Sequence, residues 1–122
     1  MKAVTVTLGS SREWDVLSKQ ISNLGIALTS VENEADFAPV VDSLGRPPII
    51  VYSPQGSSGA LQVLEWAKRH PVRLQVVVLV EKSDFSQYHE CMHEGASAYD
   101  EVSAGPERIA RIIRRAGEGT NF

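Results

Sequence analysis

Hydrophobic positions along this chain alternate between two spacings. Residues 3–8 form an apolar, β-branched run that gives way to Gly9-Ser10-Ser11, and the run predicts a first strand. Trp14, Leu17, Ile21 and Leu24 then recur at helical spacing, with Gly25 placed to end the helix. Ser10 and Glu13 have the Ser-x-x-Glu spacing of a capping box at its start. Residues 26–31 predict a second strand. Asn33 then caps a helix carrying Phe37, Val40, Val41 and Leu44, closed by Gly45; Pro39 inside it predicts a helix that is short or begins late.

Pro47-Pro48 forces an extended entry into residues 49–52, the third strand, which runs into a Gly/Ser-rich loop over 53–59. Ala60, Leu61, Val63, Leu64 and Ala67 mark a helix that stops at His70-Pro71. Residues 74–80 are the most apolar run, Val-rich and uninterrupted, as in a strand buried on both faces at the centre of a parallel sheet. Ser83-Asp84 opens a fourth helix with Phe85, Tyr88 and Met92, ended by Gly95, and residues 98–102 read as a short fifth strand. Gly105-Pro106 puts proline at a favoured first helical position, and Ile109, Ile112, Ile113 and Ala116 form the apolar face of the last helix. The predicted class is α/β: (βα) five times, a doubly wound parallel five-stranded sheet with helices on both faces.

A length of 122 residues allows one domain, placed at 1–116, with 117–122 as a flexible tail or the start of a linker. A composition of 43% hydrophobic and 22% charged residues is that of a soluble globular protein. The net charge of −3 argues against nucleic acid, whose binding needs a basic surface. Cys91 is the only cysteine, so no intramolecular disulfide forms, which fits a reducing compartment. The N-terminal run is too short for a signal peptide, and no apolar run approaches the ~20 residues that span a bilayer. The expectation is a cytoplasmic protein without membrane contact.

The order and spacing of several segments resemble the receiver domains of bacterial two-component response regulators, over nearly the whole chain. They are Ile49-Ile50-Val51-Tyr52-Ser53, the helix leading to His70-Pro71, the strand at 76–80, and Glu94-Gly95-Ala96-Ser97-Ala98-Tyr99. The resemblance implies a flavodoxin-like, receiver-like sheet with strand order 2-1-3-4-5. It also implies five functional positions, and this chain departs at each. The metal-binding acid pair falls on Gly9 and Ser10, the phosphoacceptor aspartate on Ser53, the hydroxyl residue on Val80 and the lysine on Val102. The loop after Ser53 is shorter than expected by about two residues. The switch aromatic alone has a match, at Tyr99.

The chemistry of these losses points one way. Mg²⁺ prefers oxygen ligands, commonly one or two carboxylates, and none is offered by Gly9, Ser10 or Ser53. A serine hydroxyl needs an adjacent base to act as nucleophile. Without the lysine and hydroxyl, charge developing on phosphoryl oxygens has no stabilisers. The reading is a degenerate pseudo-receiver, not an enzyme, with no cofactor or metal, that acts by binding a protein partner or a second copy of itself.

Other positions admit both a functional reading and a plainer one. Ser53, Gly56, Ser57, Ser58 and Gly59 precede a helix and offer backbone amides to an anion, the alternative being a small-molecule sensor; the plain reading is a surface connection with Ser57 or Ser58 as a cap. His89 and His93 lie four apart but want a third ligand, and Cys91 between them faces elsewhere, a small semi-buried thiol. Glu81 and Glu101 read as solvated surface. Arg108, Arg111, Arg114 and Arg115 surround the isoleucine face of the last helix; with Tyr99, Arg108, Arg111 and Arg115 make a candidate interface. Trp66 lies off its helix's main stripe, either an exposed contact residue or a cover for the core edge.

Overall fold

Burial of the β-branched runs on both faces organises the molecule. The structure, a computed structural model, describes residues 1–54 and 57–118, the side chains of Ser57 and Ser58 excepted. Its strands are β1 (Lys2–Thr7), β2 (Ala27–Ser30), β3 (Ile49–Tyr52), β4 (Val76–Val80) and β5 (Ala98–Glu101). The helices are α1 (Arg12–Asn23), α2 (Glu34–Ser43), α3 (Ser57–Arg69), α4 (Phe85–His93) and α5 (Pro106–Gly117), with a 3₁₀ turn, Val102–Ala104, before the last. The sheet is wholly parallel in the order β2-β1-β3-β4-β5. Its register pairs Val4 with Ile49, Ile49 with Val76, and Val77 with Ala98. The expected α/β class and strand order are thus observed. Among the described residues no helix is long and apolar enough to cross a membrane.

β3 and β4 are buried at every position, as their unbroken apolar runs require of central parallel strands. Alternating side chains divide the core in two. On one face Val4, Val51 and Val78 pack beneath Phe37 and Val41 of α2, Val63 of α3 and Cys91 of α4. On the other, Ala3, Ile50 and Val77 meet Leu17 and Ile21 of α1 and Ile109 and Ile113 of α5. The winding changes direction between β1 and β3. Their carboxyl ends therefore open the crevice where a parallel α/β sheet places its ligands.

Several local expectations need correcting. The cap of α1 is Ser11, whose hydroxyl accepts the Trp14 amide at 3.1 Å, so Ser10 and Glu13 make no capping box. α2 begins directly after its cap Asn33 and runs through Pro39; the core positions Phe37 and Val41 flank the proline and hold the helix together around it. β5 stops at Glu101 and Val102 turns into the core. Phe85 and Tyr88 are 76% and 43% exposed, while α4 buries Cys91 completely.

Candidate functional site

At the carboxyl ends of β1 and β3, small residues let the chain close on itself. A Cβ on Gly9 would stand 2.6 Å from Cγ of Pro54, so the backbone there lies against the proline ring and leaves no room for a larger residue. A Cβ on Gly59 would stand 2.7 Å from Cδ1 of Leu8. Ser10 is exposed, whereas Ser53 is only 3% exposed. Val80 belongs to the core under α2, α3 and α4, and Val102 to the core under α1 and α5. The five positions lie at the carboxyl ends of β1, β3, β4 and β5, but two of them are hydrophobic core. Gln55 and Gly56 lie outside the described residues, as do the side chains of Ser57 and Ser58, so the expected anion loop is seen only at its two ends.

The centre of the crevice holds a cluster the sequence pattern did not announce. Three oxygens meet there: Tyr52 Oη from β3, Ser11 Oγ from the start of α1, and Glu81 Oε1 just beyond β4. Tyr52 Oη lies 2.6 Å from Ser11 Oγ, Ser11 donates to Glu81 Oε1 at 2.7 Å, and Tyr52 also donates to the same carboxylate oxygen. Two hydroxyl protons serve these three contacts: Ser11 gives its own to Glu81, and Tyr52 shares its own between Ser11 Oγ and Glu81. Ser11 Oγ then still accepts the Trp14 amide. The Trp14 ring stacks on Tyr52, centroids 5.0 Å apart and planes within 6°. Tyr52 is fully buried. That burial, reinforced by Glu81, pushes its phenol up to about 12, so the group stays a neutral donor. Glu81 is thus a fixed acceptor joining the start of α1, β3 and the end of β4, and not the solvated carboxylate expected. Period-two reading hides this. Tyr52 counts as one more apolar position of a buried strand, although a buried tyrosine hydroxyl nearly always has a partner.

Glu101 forms a second bridge. Its carboxylate accepts the Ser83 amide at 2.6 Å and the Ser103 hydroxyl at 3.3 Å, and these bonds, the Ser83 amide first, hold it below the usual carboxylate range. The connection between β4 and α4 is therefore tied to the end of β5. Tyr99 is half-buried. Its hydroxyl accepts the Asp84 amide at 3.3 Å and its ring meets Tyr88 edge-on at 5.6 Å, so the aromatic is fastened to the first turns of α4.

The candidate interface residues come together around β5. A groove of about 340 Å³ runs along this edge strand, with Tyr88, Met92 and Tyr99 on one wall and Arg108, Arg111 and Arg115 on the other. Arg108 pairs with Asp100 at 2.8 Å. Arg114 points elsewhere, donating to the Leu24 carbonyl at the end of α1. His89 sits on the exposed flank of α4 with Phe85 edge-on at 4.7 Å, and His93 is exposed one turn on. Trp66 is half-buried against Phe37, covering the edge of the core.

No family model matches the sequence, and no curated protein does. Solved structures do match in shape. The beryllofluoride-activated NtrC4 receiver domain dimer aligns over 98% of this chain and 98% of its own, with TM-score 0.75 and 18% identity. An atypical orphan response regulator, described as having a phosphorylation-independent regulatory mechanism, aligns over 92% of this chain and 95% of its own, with TM-score 0.64 and 18% identity. A pilus assembly-related protein from Burkholderia pseudomallei aligns over 100% and 92%, with TM-score 0.73 and 15% identity. Strand order, helix placement and these likenesses agree: the chain has the flavodoxin-like fold of response-regulator receiver domains.

Proposed function

We propose that this chain is a pseudo-receiver: a receiver-like signalling module of a response-regulator type that works without phosphorylation, through protein contacts on the surface formed by α4, β5 and α5. The observation that carries the reading is the filled crevice. Where a receiver needs acids for Mg²⁺, Gly9 lies against Pro54 and Ser10 brings no carboxylate. Ser53 supplies no carboxylate either, and Glu81, the acid that reaches the Tyr52 hydroxyl, is engaged by Ser11 and Tyr52. These residues do not fit a divalent cation or a phosphoryl group. The orphan regulator of similar shape gives a precedent for regulation without phosphate, and the NtrC4 dimer for self-contact between domains of this fold. Phe85, Tyr88 and the arginine-lined groove supply this chain with exposed contact residues on that surface.

Incubation with acetyl phosphate and Mg²⁺, followed by intact-mass measurement, should give no adduct. A stoichiometric, acid-labile phosphoryl group would overturn the reading. Sedimentation over a wide concentration range decides between self and another protein as the partner.

A further inference from the structure

Among the described residues β5 is an edge strand, with no strand beside its outer side. The Ser97 amide bonds the Val76 carbonyl at 2.7 Å, so Ser97 and Tyr99 turn their backbone toward β4. Alternation turns the N–H and C=O of Ala98 and Asp100 to the open side. The two faces of the strand also differ. Tyr99 leans to α4, where Tyr88 and Met92 form an apolar wall; Asp100 leans to α5, where Arg108 holds it. The α5 wall is basic in a chain that is acidic overall: Arg108, Arg111 and Arg115 line it and no acid of α5 does. Asp100 already neutralises Arg108, whereas Arg111 carries no hydrogen bond or ion pair among the described residues.

We infer that this groove receives an extended segment of a partner protein, added to the sheet as a sixth strand beside β5, in which apolar and acidic residues alternate. Main-chain bonds to Ala98 and Asp100 supply affinity, as in other strand-addition complexes. Side chains of one parity pack on Tyr88 and Met92, and those of the other meet Arg111 and Arg115. A second copy of this chain does not meet the requirement. Its β5 edge is flanked by its own α4 and α5, and its β2 edge, Ala27–Ser30, carries no acid. The inference rests on the proposed interface role of this surface and names the class of its partner.

The test uses a fluorescein-labelled octapeptide of alternating valine and glutamate, followed by anisotropy against the full chain. Saturable binding is expected. It should weaken with salt, and roughly tenfold in Arg111→Glu relative to Lys19→Glu, an equal charge change on an exposed α1 position. Circular dichroism of both variants verifies folding. N-methylation of alternate peptide amides discriminates further, because only the set facing β5 should abolish binding. No binding at millimolar peptide, equal tolerance of both methylated sets, or equal displacement by a single-stranded DNA of the same charge would each overturn the inference. None of those results bears on acetyl phosphate labelling, which tests the pseudo-receiver reading separately.

Discussion

Tyr52 is the residue on which the crevice turns. It stacks on Trp14 with its ring and reaches Glu81 with its hydroxyl, so one side chain joins both layers of the site. Tyr52→Phe keeps the stack and removes the donor. It should cost about 1–2 kcal/mol, the range for losing a buried hydrogen bond. The pH dependence has a definite sign. The folded phenol is raised to about 12 from an ordinary 10, so the protonated form is the one that folding favours. Its contribution is complete below pH 10 and is lost as pH rises toward 12. Urea denaturation across that window should show a steeper alkaline decline in the parent than in the Phe variant. Parallel curves would remove Tyr52 from the account.

At the scale of elements, α4 and α2 each separate two effects. α4 is held at its start by Asp84, whose carboxylate accepts the Gln87 amide at 3.0 Å, and in the core by Cys91. Asp84→Ala should cost about 1 kcal/mol as a lost cap. Phe85→Ala, at a position 76% exposed, should stay within about 0.5 kcal/mol. Thermal melts of the two variants make the comparison. α2 carries Pro39 where an amide would otherwise bond the Ala35 carbonyl. Pro39→Ala should therefore stabilise by about 2 kcal/mol, the ~3 kcal/mol of an interior proline less the ~1 kcal/mol it saves in the unfolded chain.

These same elements show what could be read in advance. Most strands and helices are visible in the spacing of Val, Ile and Leu, because two-sided burial and helical stripes are local patterns. α4 misleads, since Phe85, Tyr88 and Met92 imitate an apolar stripe while Cys91 points inward. The Ser11, Tyr52 and Glu81 cluster draws on positions 41 and 70 residues apart along the chain, and no local pattern encodes such a meeting. Gly9 and Val102 could be matched to receiver positions by order alone. That Pro54 occupies the space over Gly9 depends on the turn after β3.

For the molecule as a whole, one sheet is shared by two cores, so neither can melt alone. Val63→Ala under α3 and Ile113→Ala under α5 lie on opposite faces. Each should lower stability by about 1–5 kcal/mol, the cost of emptying a packed site. Each should also leave one cooperative transition, seen as coincident far- and near-ultraviolet circular dichroism curves. Two separated transitions would mean that the faces unfold independently.

The stacking of Trp14 on Tyr52 has a further use. The chain has only two tryptophans, and the sheet separates them: Trp14 lies in the crevice against a phenol ring, and Trp66 lies against Phe37 on the opposite face. Their emission therefore reports on two places independently. With Trp66→Phe, intrinsic fluorescence becomes a label-free signal from the crevice alone. With Trp14→Phe, it becomes a signal from the packing of α2 and α3. The protein carries its own pair of optical probes, one for each side of its sheet.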